Sequence, residues 1–140
     1  MNFFSVFKRN LIFLFKKKTD IDKHNFKKSV SLDYLCSYYK TDKAEKYYNA
    51  EGHGYTRHYI KHINKFKDKK IKFLEIGCGA GISAAAFTKY LKKSTAYCLD
   101  VNLTYVKIKS KRIKYCGLDS SNRGQMINFL KKYNQKKESF

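Results

Sequence analysis

An acidic residue followed by three closely spaced glycines is the feature of this sequence that could do chemistry. The stretch from Lys72 reads KFLEIGCGAG, so Glu75 belongs to an apolar run and Gly77, Gly79 and Gly81 follow it. In a turn from a strand into a helix, such glycines allow a sharp bend, a close approach of the backbone to a ligand and close packing of the helix. The stretch therefore predicts a ligand site at the amino end of a helix.

The spacing of the glycines distinguishes between ligands. A dinucleotide-binding loop reads G-x-G-x-x-G and a P-loop ends in Gly-Lys-Ser/Thr, whereas this turn reads G-x-G-x-G. Glu75 disfavours a phosphate, because it would place like charges side by side, and it favours a cationic group. Asp100 ends a second apolar run, where a carboxylate accepts hydrogen bonds from both hydroxyls of a ribose. A purely structural glycine turn with two exposed acids is the alternative.

The elements that must position these residues follow from the hydrophobic pattern. From residue 71 onward the pattern predicts alternating strands and helices, with an irregular crossover between the second and third strands. This order predicts an α/β fold, a partial Rossmann-like parallel sheet of about three strands. The predicted strands are 71–76, 95–99 and 113–116, and the predicted helices are 82–92 and 124–133.

Upstream of the sheet, the sequence predicts two further regions. Residues 31–70 form a helical extension, in which Ser31 and Thr56 are placed as N-caps of two helices. Residues 1–30 form a basic amphipathic helix followed by a polar linker over 16–30. The sheet domain itself is expected to occupy 71–140.

The first 18 residues read MNFFSVFKRNLIFLFKKK and have apolar side chains at helical spacing. Their longest apolar run is far below the roughly 20 residues that a spanning helix needs. A basic amphipathic helix with phenylalanines on one face fits an anionic membrane surface. The alternative is a helix that docks its apolar face on the rest of the protein or on a partner. The expected location is the cytoplasm, or the inner face of the membrane.

Composition gives the chain a strong positive charge. Lys and Arg number 31 against 11 Asp and Glu, a formal net charge of +20 over 140 residues. This excess favours contact with polyanions. A non-catalytic module that binds RNA or an anionic membrane is therefore the alternative function. A biased composition that places lysines on solvated surface explains the charge equally well.

Cysteine and histidine do not indicate a metal site. None of the four cysteines, at 36, 78, 98 and 116, has a second cysteine at C-x-x-C spacing. We interpret all four as reduced thiols of a cytosolic protein. His53, His58 and His62 have no carboxylate or cysteine at matching spacing, so no metal is expected there.

With these residues in place, the chain resembles the class I S-adenosylmethionine-dependent methyltransferases. LEIGCGAG matches the family's first motif, and LDVN, with Asp100, matches the end of its second strand. The chain also resembles a branch that methylates sugars of macrolides. That branch carries a T-D-K segment and an H-x-Y-T segment upstream, and a D-x-S-D/N segment after the third strand. Their counterparts are Thr41-Asp42-Lys43, His53-Gly54-Tyr55-Thr56 and Asp119-Ser120-Ser121-Asn122.

The resemblance implies roles for individual residues in binding S-adenosylmethionine. Glu75 would face the amino group or positive region of the methionine part, and Asp100 would hold the ribose hydroxyls. Asp119 and Ser120 would lie near the adenine. The backbone along the methionyl chain would come from Gly77, Cys78, Gly79 and Gly81. The reaction implied is in-line methyl transfer to a sugar or glycoconjugate hydroxyl. The sequence identifies no catalytic base, and His53 is the one candidate near the glycine turn in the sequence.

The chain departs from the family after the third strand. The family's fourth strand and the aspartates that bind a divalent metal such as Mg and carry catalysis have no counterpart before Phe140. The resemblance therefore implies a cofactor-binding half that is inactive alone. It also implies an open edge on strand 71–76, which a second polypeptide or a second copy of the chain would pair with.

Overall fold

The computed structural model describes residues 17–26, 29–47 and 50–134, together with Leu11 and Phe15. The strands are β1 (Thr19–Asp20), β2 (Lys46–Tyr47), β3 (Ala50–Glu51), β4 (Lys72–Ile76), β5 (Thr95–Asp100), β6 (Ile108–Lys109) and β7 (Ile113–Gly117). The α-helices are α1 (Leu32–Tyr39), α2 (Thr56–Ile63), α3 (Ile82–Tyr90) and α4 (Arg123–Asn134). Short 3-10 turns cover Ile21–Lys23, Asn64–Phe66 and Leu103–Tyr105.

The central sheet is parallel and has three strands in the order β4-β5-β7. Its strands are rich in β-branched and aromatic residues, which fit a pleated surface. The predicted fold class, a partial Rossmann-like parallel sheet of about three strands, is confirmed. The irregular crossover predicted between β5 and β7 contains a 3-10 turn and the short strand β6.

Helix α3 lies between the sheet and α1. Its alanines Ala84, Ala85 and Ala86 are completely buried, and Phe87 contacts Phe73 of β4 with ring centroids 6.4 Å apart. Small side chains let a helix approach its neighbours closely on several sides. This close approach brings the start of α3 against the end of β4, where the glycine turn, residues 77–81, connects the two.

Helix α4 covers the opposite face of the sheet. The ring of Tyr97 on β5 packs against Phe129 and Tyr133, with centroids 6.1 and 4.6 Å apart. Nearer to β4 this face is open, since Leu74 is 41% and Ile76 55% exposed. Within the described residues β4 pairs with β5 alone, so its other edge is open. That another polypeptide or a second copy pairs there stays a prediction.

Ser31 caps α1 as predicted, because its Oγ accepts the backbone N–H of Tyr34 at 3.0 Å. The prediction that Thr56 caps the next helix is wrong. Thr56 is the first residue of α2, and no side chain caps that helix. Its hydroxyl donates instead to Asp33 Oδ1 at 2.6 Å, a tertiary contact that local spacing does not reveal.

The polar linker predicted over 16–30 is wrong for residues 19–24. Strand β1 pairs in parallel with β6, and Ile21 is completely buried. The Asp22 carboxylate accepts Ser110 Oγ at 2.7 Å and Lys111 N–H at 2.8 Å. A buried isoleucine and these hydrogen bonds hold the stretch against the crossover before β7.

The helix predicted over residues 1–18 lies largely outside the described residues. Leu11 and Phe15 are helical and exposed. In the part of the chain that the structure describes, no helix combines the length and the apolar character needed to cross a membrane.

Candidate functional site

The glycine turn is held in a conformation that glycine adopts readily. Gly77, Gly79 and Gly81 have φ angles of 74°, 50° and 79°, in the left-handed region where a Cβ is strained. The N–H groups of Gly77 and Cys78 both donate to the carbonyl of Leu99, at 2.8 and 3.3 Å. The turn is therefore fixed to the end of β5, beside Asp100.

Gly81 is also required by its surroundings. A Cβ at this position would collide with the hydroxyl of Tyr115 on β7. That hydroxyl is buried and has no hydrogen-bond partner among the described residues. Burial, followed by the charges of the neighbouring thiols and carboxylate, raises the pKa of Tyr115, so the phenol stays protonated.

Three polar side chains form a row across the sheet beneath the turn. Strand register places Glu75 opposite Cys98, and Cys98 opposite Tyr115. All three lie on the face that α3 covers, since alternate residues of a strand share a face. Ser83, in the first turn of α3, donates its hydroxyl to Glu75 Oε1 in a short hydrogen bond. Sheet register and helix packing together place this carboxylate.

Glu75 is the unusual member of the row. Its Oε2 atom is buried and has no hydrogen-bond partner in the described part of the chain. Burial raises the pKa of Glu75, and the hydrogen bond from Ser83 and the charge of Lys43 oppose that rise only in part. A buried carboxylate oxygen without a partner provides an acceptor for a cationic or N–H-bearing group.

Asp100 lies directly beside the glycine turn. Its Oδ2 accepts the N–H of Gly79 at 2.8 Å, and its Oδ1 accepts the N–H of Asn102 at 3.0 Å. The structure thus brings Asp100 and the glycines together at the carboxyl end of the parallel strands. A role in ribose binding stays a prediction.

Asp119 and Ser120 lie in the turn after β7. The N–H of Leu118 donates to the Asp100 carbonyl at 3.1 Å, so this turn begins beside the end of β5. Asp119 Oδ1 accepts Ser121 Oγ at 2.7 Å and Ser121 N–H at 2.9 Å. The hydrogen bonds from Ser121 lower the pKa of Asp119, which therefore remains charged. Ser120 is exposed. Their proximity to an adenine stays a prediction.

Cys98 beneath the turn and Cys36 of α1 are poor nucleophiles. Cys78 and Cys98 are buried, and a hydrogen bond with Cys78, followed by burial, raises the pKa of Cys98 far above its ordinary value. Burial, followed by the charge of Asp33, raises the pKa of Cys36 to about 12. A thiol of such high pKa is a poor nucleophile at neutral pH. All four cysteines are free in the structure.

The two upstream motifs pack on one another. The N–H of His53 donates to the Asp42 carbonyl at 2.6 Å, and the N–H of Thr56 donates to the Lys43 carbonyl at 3.2 Å. Asp33 of α1 braces the pair, since its Oδ1 accepts both the Thr56 hydroxyl and the N–H of Glu45, the latter at 2.9 Å. Lys43 of this motif pair, residues 41–43 and 53–56, acts electrostatically on Glu75.

His53 belongs to the motif pair. Its Nε2 lies 3.7 Å from Asp42 Oδ2, and both side chains are more than half exposed. Its ring stacks on Tyr55 with centroids 5.1 Å apart. None of these contacts involves the glycine turn. Among the described residues, no group of three or more His, Cys, Asp or Glu side chains is arranged to hold a metal ion.

Sequence reasoning missed Tyr115, Ser83 and Asp33. Alternation along β7 places Tyr115 on the same face as Glu75, so strand register was the signal for this residue. Ser83 is polar in a helix start that is otherwise small and apolar, which is a weaker signal. Asp33 contacts residues 12 and 23 positions away, and no local pattern reveals such partners.

No protein-family model matches the chain, and no curated protein sequence does either. Solved structures do match it. One is the MycE methyltransferase from the mycinamycin biosynthetic pathway in complex with Mg and SAH, with 22% identity and a TM-score of 0.63 over 76% of this chain and 30% of that one. Another is MycE in complex with Mg, SAH and mycinamycin VI, at the same identity and TM-score, of which 29% is covered.

This chain therefore spans about three tenths of the length of those structures. The likeness shows that the chain shares the α/β fold of the part of those structures that it covers. Mg, SAH and mycinamycin VI belong to the solved complexes.

A first prediction compares the stability of alanine variants at Gly79 and Gly81. Gly79→Ala introduces a Cβ at positive φ into open space, at a cost of about 1–2 kcal/mol. Gly81→Ala has the same strain and also the collision with Tyr115, so we expect a larger loss of unfolding free energy in urea. Adding Tyr115→Phe to Gly81→Ala should recover part of that loss. Equal losses for the two alanine variants would contradict the contact.

A second prediction concerns pH. The pKa of Glu75 is raised in the folded state above its ordinary value of 4.5, so the folded protein binds this proton more tightly than the unfolded chain. The contribution of the protonated carboxyl to stability is full below that value and is lost as pH rises through the folded pKa. Glu75→Gln should therefore match the parent near pH 4 and exceed its unfolding free energy at pH 8.

Urea unfolding from pH 4 to pH 8 measures this difference. Asp119→Asn provides the matched control with opposite sign, because the pKa of Asp119 is lowered and its stabilising effect is present at neutral pH and lost on acidification. A Glu75→Gln variant whose advantage does not grow with pH would contradict the raised pKa.

Proposed function

We propose that this chain binds S-adenosylmethionine and forms the cofactor-binding part of a sugar O-methyltransferase. The observation that carries the proposal is the Glu75 carboxylate under the glycine turn. One of its oxygens accepts from Ser83, and the other is buried without a hydrogen-bond partner in the described residues. A positively charged ligand would satisfy that oxygen and offset the cost of burying the charge.

The residues around the turn fit the parts of this cofactor. Glu75 would accept from the amino group of the methionine part, and Asp100 would accept from the ribose hydroxyls. Asp119 and Ser120 would border the adenine. The backbone beside the methionyl chain would be that of Gly77, Cys78, Gly79 and Gly81. When bound, the cofactor supplies a methyl group on a sulfonium, which an acceptor hydroxyl attacks.

Asp100 keeps capacity for a ribose. A carboxylate has about four acceptor positions, and the N–H groups of Gly79 and Asn102 occupy one on each oxygen. The remaining positions accept two hydroxyls without breaking either bond. The two backbone donors also fix the orientation of the carboxylate before a ligand arrives, which lowers the entropic cost of binding.

A sugar hydroxyl is the proposed acceptor, because the motif pair resembles segments of the branch that methylates sugars of macrolides. MycE, whose fold the chain shares in part, was also solved with mycinamycin VI. We assign no catalytic base, because the contacts of His53 are with Asp42 and Tyr55. The described residues do not fit a divalent metal. The proposal for this chain is therefore cofactor binding without catalysis on its own.

Calorimetric titration with S-adenosylhomocysteine tests cofactor binding. We expect saturable binding by the chain and a loss of at least about tenfold in affinity for Asp100→Ala, which removes the acceptor of two hydroxyls. Asp68→Ala is the matched control, because that carboxylate forms an exposed ion pair with Lys92 instead. Equal affinities for the two variants, or no binding by a folded parent, would contradict the proposal.

Methyl transfer from isotopically labelled S-adenosylmethionine tests whether the chain is inactive alone and whether the acceptor is a sugar. With a macrolide glycoside and its aglycone as acceptors, we expect no label in either product from the chain alone. Label in the glycoside would contradict inactivity and support the sugar class. Label in the aglycone would contradict the sugar class.

A further inference from the structure

A concave site lies at the end of the central sheet opposite the glycine turn. It is a cavity of about 230 Å³. Arg112 directly precedes β7, and Lys92 lies just before β5, so the cavity borders the amino ends of the strands. The candidate cofactor residues lie at or just beyond the carboxyl ends of the strands. The two sites are therefore separate and share no lining residue.

The lining of this cavity is basic. Its wall includes Lys67, Lys89, Lys92, Arg112 and His24, and none of the described lining residues is acidic. This is a local excess of positive charge in a concave place, where field lines concentrate.

The cations are held in place by the surrounding chain. Lys89 Nζ donates to the carbonyl of His24 at 2.7 Å. Lys67 Nζ donates to Ser29 Oγ at 2.8 Å and lies 4.9 Å from the centre of the Tyr90 ring. These contacts order two long side chains that would otherwise lose rotamer freedom on meeting a ligand.

Arg112 is fixed in the same manner. Its Nη1 donates to the carbonyls of Leu91, Lys92 and Ser94, at 3.1, 2.8 and 3.4 Å. Within the described part of the chain, the hydrogen bonds of its side chain all start at Nη1. Nε and Nη2 therefore keep donors for a ligand, in the planar fork that matches a phosphate or carboxylate.

Of the basic lining residues, Lys92 alone forms an ion pair with a described carboxylate. Asp68 pairs with Lys92 at 3.0 Å. Asp22 attracts Lys89 and Arg112 at longer range, but its oxygens accept from Ser110 and Lys111, and Asp20 acts on Lys89 alone.

Burial and repulsion between the cations lower the pKa of Lys89 by more than the nearby carboxylates raise it. Burial, followed by the charge of Arg112, lowers the pKa of Lys89 despite Asp22 and Asp20. Burial also lowers the pKa of Arg112. The site thus holds positive charge at a cost, and a bound anion would reverse that cost.

We propose that this cavity binds the phosphate group of a small phosphorylated ligand, with Arg112, Lys67 and Lys89 as its donors. Its volume is below the roughly 300–1,000 Å³ of pockets that enclose drug-sized ligands, and it fits a phosphate or pyrophosphate group. The proposal goes beyond cofactor binding, because the glycine turn disfavours phosphate and this cavity favours it.

Calorimetric titration with inorganic pyrophosphate tests the site at fixed ionic strength. Ser29→Asp places a carboxylate beside Lys67 at an exposed position, and Ser29→Asn is its isosteric control. We expect the aspartate variant to lose about tenfold or more in affinity, because it occupies a donor and repels the anion. The asparagine variant should stay within about twofold of the parent.

Lys67→Met, with Lys93→Met as a control on an exposed lysine outside the cavity, provides an independent pair. We expect about a tenfold loss for the first and less than twofold for the second. Similar losses for both lysine variants, or no difference between the Ser29 variants, would overturn the site in favour of diffuse attraction to a basic surface. So would the absence of pyrophosphate binding.

Two further measurements distinguish this cavity from a general polyanion surface and from the proposed cofactor site. A single-stranded RNA oligonucleotide that binds in a strongly salt-dependent manner, without any effect of Ser29→Asp, would overturn the proposal in favour of a polyanion surface. S-adenosylhomocysteine affinity should be unchanged in the Ser29 and Lys67 variants. If pyrophosphate does not bind while S-adenosylhomocysteine still binds, the phosphate site is refuted and the proposed cofactor site is not.

Discussion

The buried carboxylate of Glu75 is the constraint on which the rest of this structure depends. Placing a charge on the covered face of a parallel sheet costs free energy unless it is paired or protonated. The hydroxyl of Ser83 donates to Oε1 of this carboxylate, and Oε2 has no hydrogen-bond partner in the described residues. Ser83 reaches the carboxylate because alanines let α3 lie close to the sheet. The glycines then allow the chain to pass from β4 into α3 over so short a distance.

The upstream region belongs to the same arrangement. α1 packs on α3, and Asp33 of α1 braces the motif pair through Glu45 and Thr56. That bracing places the positive charge of Lys43 where it acts on Glu75. The helical extension thus carries a charge that acts on the residue beneath the glycine turn, although Lys43 and Glu75 are 32 positions apart in the sequence. A variant that loosens Asp33 acts on the site through this path.

Sequence patterns predicted the parts of the fold in which local periodicity agrees with the tertiary structure. β4, β5, β7 and α3 fall within a few residues of their predicted bounds, because strand alternation and an alanine-rich helix leave little choice. The predictions that failed concern residues whose positions are decided by tertiary contacts. Thr56 has the residue type of a cap but donates to Asp33, and the polar stretch at 19–24 contains one isoleucine whose burial decides its position. Tyr115 joined the site through strand register, which becomes visible only when strands are aligned side by side.

The positions of the charged residues along the sheet add information that the net charge of the chain does not contain. The chain has 11 acidic residues, and three of them, Glu75, Asp100 and Asp119, follow or end the strands at one edge. At the other edge Lys67, Lys89 and Arg112 gather around a cavity without an acidic lining residue. A net charge of +20 spread at random would repel a cationic ligand everywhere. Asp20, Asp22 and Asp68 also lie near the basic cavity, but none of them belongs to its described lining. The sheet therefore separates the residues proposed to face a cationic ligand from those proposed to face an anion. The parallel sheet makes this separation possible, because it sends all strand ends of one kind to the same side.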